Sequence, residues 1–125
     1  MKKYNVKNYV RYKEDVKRSI ESIKVKRFVD YTPRELKIIF LPLVENISRK
    51  FATSQEASGV MSIMDIIQEG SLQLCKAVDK IDRERLIQSE DQEQTLKSFF
   101  LKELEVVYVE LLILIEVQCA YLNTN

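Results

Sequence analysis

The chain has 125 residues, of which 31% are charged and 46% apolar, with two glycines, two prolines, no tryptophan and no histidine. That length suits one domain around one modest core and does not accommodate a two-domain enzyme. So few helix breakers among so many charges describe a helix-rich folded chain, and an all-α small helical bundle is the expected fold class.

The first segment, MKKYNVKNYVRYKEDVKRSIESIKVKRF, is strongly basic although the whole chain has a formal net charge of only +1. A first helix is expected over much of Tyr9 to Phe28, within a basic N-terminal arm covering residues 1–30. Such an arm is either a solvated lysine-rich face or a surface that lies near an acidic partner or nucleic acid. Lys2, Lys3, Lys7, Arg11 and Lys13 are not focused on one point, so contact with DNA here brings salt-dependent affinity without sequence choice.

The next segment, DYTPRELKIIFLPLVENISRKFA, opens with a strong helix start. Thr32 can cap free backbone N–H groups, Pro33 occupies the first turn where its missing N–H costs nothing, and Glu35 completes a capping box. Pro42 is expected to end or kink that helix. Beyond it Leu43, Val44, Ile47 and Phe51 share one side. TSQEASG, with its serines and Gly59, reads as a loop, and Ser62 or a neighbour starts the helix that follows.

That helix contains DIIQEGSLQLCKAVDKID, Asp65 to Asp82. At 100° per residue from Ile67, the residues Ile63, Gly70, Leu74, Val78 and Ile81 fall within about 60° and form an inward stripe. Asp65, Gln68, Glu69, Lys76 and Asp79 gather on the far side, with Leu72 among them at about 140°. A leucine ringed by polar residues has the layout of a small contact patch with a polar rim. A solvated face bearing one leucine is the simpler alternative. Glycine on the inner face costs about 1 kcal/mol relative to alanine, so another helix is expected to approach the backbone at Gly70.

Cys75 and Cys119 lie far apart in sequence, in no C-x-x-C pair and with no histidine to join them, so neither a zinc site nor any other metal is expected. Without a signal peptide, two such cysteines suit a reducing cytoplasm. VVYVELLILIEV is too short and too interrupted, by Glu110 and Glu116, to span a membrane. No glycine-rich phosphate loop, H-E-x-x-H or nucleophile elbow is present, so neither catalysis nor a cofactor is expected.

SIMDIIQEGSLQLCKAVDKID resembles region 2.2 of bacterial sigma-70-type RNA polymerase sigma factors, whose pattern runs D-L-I-Q-E-G-x-x-G-L-x-K-A-V-D-K-F-D. LPLVENISRKFA resembles the region 2.1 helix before it, so the likeness covers roughly Tyr31 to Arg85 within a helical domain of residues 31–98. In that family the polar face of this helix binds the coiled coil of the largest subunit of core RNA polymerase, and the complex is directed to promoter DNA for transcription initiation. The resemblance implies Asp65, Gln68, Glu69, Ser71 and Cys75 as core-polymerase contacts, with Leu72 beside them. The family's second glycine is Gln73 here, on a flank of the wheel. After Asp82 the family continues with an aromatic-rich stretch that captures flipped bases, whereas this chain reads RERLIQSEDQEQTLKSFFLKELEVVYVELLILIEVQC. Promoter reading therefore does not carry over with the docking face, and the DNA-binding residues stay unassigned. The short, divergent form suggests a phage-like or mobile-element variant.

The apolar tail, residues 99–125, admits two readings. With permitted codons, LKELEVVYVELLILIEVQCAYLNTN read from the last base of the Lys102 codon can give RIRGSIRRAIDINRGAMRIPEHK, which resembles the missing arginine-rich part of a sigma factor. On that reading the frame has slipped near Phe99 and Phe100, and the tail, without a clear period, was never selected to pack. VVYVELLILI then has the makings of an aggregation-prone segment. On the other reading the tail is a final helix that turns Leu101, Leu104, Tyr108, Leu111, Leu112 and Ile115 inward. A small helical interaction protein that regulates or sequesters a partner without promoter DNA is the functional alternative.

Overall fold

The computed structural model describes residues 6–54 and 62–122. Among them it holds six α-helices and one 3-10 turn and no strand: α1 (Val6–Glu21), the turn Phe28–Asp30, α2 (Pro33–Ile39), α3 (Leu41–Ser54), α4 (Ile63–Val78), α5 (Arg83–Gln88) and α6 (Gln92–Leu122). The chain is an all-α bundle, with α4 packed between α3 on one side and α6 on the other. Side-chain caps fix where four of these helices begin, α5 among them, where Asp82 accepts from the Arg85 N–H. Thr32 Oγ1 accepts from the Glu35 N–H at 3.1 Å while the Glu35 carboxylate accepts from the Thr32 N–H at 2.9 Å. Ser62 and Asp65 build the same reciprocal pair at the head of α4. Asp91 caps α6 by accepting from the Gln94 N–H at 3.0 Å.

The break between α2 and α3 falls at Phe40, two residues before Pro42, which sits in the first turn of α3 where no intrahelical donor is needed. The first helix ends at Glu21, not near Phe28. Its end is set by contacts outside the helix: the Lys26 N–H donates to Tyr31 Oη at 3.1 Å, and Lys26 Nζ reaches the Glu35 carboxylate at 3.2 Å, drawing the chain off toward α2. Thr53 and Ser54 of the expected TSQEASG loop belong to α3, and the rest of that loop lies outside the described residues, as do Lys2 and Lys3.

The core is one cluster in which Leu36, Val44, Ile66, Leu74, Leu96, Phe100 and Leu104 are almost wholly enclosed. Phe40 and Phe100 meet edge to face with ring centroids 4.9 Å apart, which ties the junction of α2 and α3 to α6. The inward stripe read for α4 is buried from Ile63 through Val78, and Ile81, just past the helix, is half-buried. The tail packs more regularly than its sequence suggests: Leu96, Phe100, Leu104, Tyr108 and Leu111, spaced by four and then three, form the inner face of α6. Leu101 and Leu112 are only half-buried, and the side chain of Ile115 lies outside the described residues.

Candidate functional site

The face of interest belongs to α4, and its rigidity comes from what is fixed behind it. A Cβ placed on Gly70 would stand 2.6 Å from Tyr108 Oη and 2.8 Å from Val44 Cγ1, so α6 and α3 both approach the backbone there. Tyr108 is in turn held by Ser48, whose Oγ lies 2.6 Å from the phenolic oxygen in a fully buried hydrogen bond. Burial raises the Tyr108 pKa above its usual value, the Ser48 hydroxyl offsetting part of that and the Tyr12 phenol adding to it. With its inner face locked in this way, α4 presents its outer face in one fixed orientation.

Asp65, Gln68, Glu69 and Leu72 all lie on that outer face, exposed together with Lys76 and Asp79. Leu72 is 54% exposed. Beside it a shallow groove of about 340 Å³ runs between α4 and α6, lined by Glu69, Leu72 and Lys76 from one helix and Val107, Glu110 and Leu114 from the other. Ser71 and Cys75 are placed differently. Both are half-buried on a flank of α4, and Ser71 stands next to the half-buried Tyr12 of α1. Cys75 is a free thiol, while the side chain of Cys119 lies outside the described residues. Of the six contacts that the resemblance implies, four therefore share one exposed surface and two lie at its edge.

The basic arm is not a free appendage over its described part. Tyr9 Oη donates to Glu45 at 3.1 Å, and Lys13 Nζ approaches the same carboxylate at 4.0 Å, with Arg49 3.6 Å away on the other side. Burial, then the Glu45 carboxylate, push the Tyr9 pKa up. Lys7 and Arg11 remain exposed on the outside of α1. The Tyr12 hydroxyl is buried beside Ser71 without a well-formed hydrogen bond, and burial raises its pKa, the Ser71 hydroxyl offsetting part of that.

Sequence reading missed this polar set. Glu45 and Ser48 are buried side chains on α3 that look like ordinary helix-surface residues in the sequence. The only hint lay in their spacing, because Val44, Ile47 and Phe51 already define the buried side on which Ser48 falls. No group of three or more His, Cys, Asp or Glu side chains among the described residues is placed to hold a metal ion. No helix among them is long and apolar enough to cross a membrane. The chain matches no protein-family model, no curated protein and no solved structure.

Proposed function

We propose that this chain is a sigma factor-like protein that docks on core RNA polymerase through the outer face of α4 and acts in transcription initiation in the cytoplasm, without catalysis of its own. One observation carries the proposal: Leu72 stands exposed amid Asp65, Gln68 and Glu69 on a helix whose opposite face is immobilised by α3 and α6. A rigid apolar point within a polar rim suits docking on another folded surface. Asp65, Gln68, Glu69 and Leu72 form the centre of contact with the coiled coil of the largest subunit, and Ser71 and Cys75 its edge.

In complete form the protein continues past Phe99 in the alternative reading frame, with an arginine-rich helix that directs the polymerase to promoter DNA. Sequencing the gene across the codons for Phe99 and Phe100 tests this, and stop codons in that frame overturn it. Docking itself is tested by binding of the purified chain to bacterial core RNA polymerase beside the double variant Gln68→Ala, Glu69→Lys. The variant is expected to lose about 2–5 kcal/mol of binding through reversal of a charge at the buried contact. Absence of binding by both folded proteins overturns the proposal.

A second reading, a helical interaction protein that regulates a partner without promoter DNA, is favoured by the fit of Tyr108 between Gly70 and Ser48. That fit makes α6 in its present frame a working part of the fold. Retention of promoter DNA by the complex with polymerase separates the two readings.

A further inference from the structure

On the side of the molecule where α4 ends, α5 and the first half of α6 border a cavity of about 410 Å³, within the range of small-ligand sites. Its floor is apolar: Leu86 and Leu96 are buried, while Ile81 and Phe99 are half-buried and still offer surface to the cavity. Lys80, Arg85 and Lys102 line it against a single carboxylate, Asp82. Asp82 is engaged in capping α5, where it accepts from the Arg85 N–H at 3.2 Å, and Lys80 is paired with Glu103 at 3.1 Å. Neither the Arg85 guanidinium nor the Lys102 ammonium has an ion-pair partner among the described residues. The same lining includes Ser98, whose Oγ already accepts from Gln94 Nε2 at 3.1 Å and so keeps its own proton to donate.

The chemistry of these groups is complementary to one kind of ligand. A guanidinium fork and an ammonium together match a phosphate monoester, and a hydroxyl donor beside them can complete its hydrogen bonding. An apolar floor that includes part of a phenyl ring matches a planar ring, which can lie against Phe99 while the phosphate stays with the cations. We infer that the cavity between α5 and α6 binds a nucleotide, with its phosphate held by Arg85, Lys102 and Ser98 and its base against Phe99 and Ile81. The site stands apart from the outer face of α4 and does not rest on the reading of that face; through Lys102 it rests on α6 in its present frame.

The test is a titration of the full chain, followed by residue-resolved NMR, with adenosine 5′-monophosphate, adenosine, inorganic phosphate and a short single-stranded oligonucleotide. The monophosphate is expected to shift the signals of Arg85, Ser98, Phe99 and Lys102 and to bind at least tenfold more tightly than adenosine or phosphate alone. Arg85→Glu and Lys102→Glu are expected to abolish that binding, whereas Lys97→Glu, a like charge change on α6 outside the cavity, leaves it intact. Phe99→Leu weakens the monophosphate and leaves phosphate unaffected. An oligonucleotide that binds more tightly through the same residues identifies a nucleic-acid strand as the source of the nucleotide, and weaker binding identifies the free molecule. No shift at millimolar monophosphate overturns the inference, as does equal affinity for phosphate alone.

Discussion

Gly70 shows how one missing side chain organises three helices. In a helix interior glycine is about 1 kcal/mol worse than alanine, so its presence opposite α3 and α6 needs a steric reason. The reason is the contact with Tyr108 Oη and Val44 Cγ1, both inside the distance that a Cβ tolerates. Gly70→Ala is therefore expected to destabilise the fold by about 1–3 kcal/mol through overpacking, in spite of the better helix propensity, as read by chemical denaturation. Tyr108→Phe removes the offending oxygen and should recover part of that loss in the double variant, so that the two effects are not additive. Alone, Tyr108→Phe leaves the Ser48 hydroxyl without its buried partner and is expected to cost about 1–3 kcal/mol. Tyr12 makes a weaker case, because its buried hydroxyl has only the marginal contact with Ser71 to lose, and Tyr12→Phe is expected to cost less than Tyr108→Phe. Both phenols, and that of Tyr9, have pKa values raised in the fold. The neutral form is favoured there, so their contribution is fully present below the unfolded tyrosine value of about 10 and is lost as pH rises through the folded values. Denaturation midpoints should fall above about pH 10, and less steeply in Tyr12→Phe.

Helix starts depend on side chains that sit close together in sequence, and that is why they were legible. Thr32, Pro33 and Glu35 lie within one turn, and the structure builds the capping box they imply. Glu35 also serves the connection to α1. Its carboxyl pKa is held down first by the Thr32 backbone N–H and then by Lys26, so that contribution is present above the unfolded carboxyl value and lost as pH falls through the folded one. Thr32→Ala is expected to cost about 0.5–2 kcal/mol in denaturation experiments, with Thr32→Ser nearly harmless. The end of α1 was not legible for the converse reason. Ile20 and Ile23 continue an apolar spacing past Glu21, no glycine or proline marks a stop, and the groups that turn the chain away, Tyr31 and Glu35, belong to later elements. The outer face of α4 was readable from helical pitch alone, but its edge was not. Ser71 is half-buried beside Tyr12 because α1 packs there, a contact for which nothing in the local pattern of α4 gives a signal.

At the scale of the whole molecule, α6 carries two surfaces of opposite consequence. Its inner face, through Phe100 and Leu104, closes the core, and Phe100→Ala is expected to cost about 3–5 kcal/mol because the enclosed ring leaves a cavity against Phe40. Its outer face exposes Val106, Val109, Ile113 and Val117, which recur at spacings of three and four and form a stripe along a helix about 46 Å long. Neighbouring Leu114 and, across the groove, Leu72 extend the apolar surface toward α4. Apolar side chains gathered in this way favour association, and the acids nearby, Glu105, Glu110 and Glu116, are too few to break the stripe. The chain is therefore expected to self-associate as concentration rises, which sedimentation velocity measures directly. Val109→Lys with Ile113→Lys interrupts the stripe and sets each new cation three or four residues from a glutamate, Glu105 for the first and Glu110 or Glu116 for the second. That variant should sediment as a monomer at concentrations where the parent associates, with an unchanged denaturation midpoint, since neither side chain belongs to the core. An equal loss of stability in the variant would instead place these valine and isoleucine side chains inside the fold.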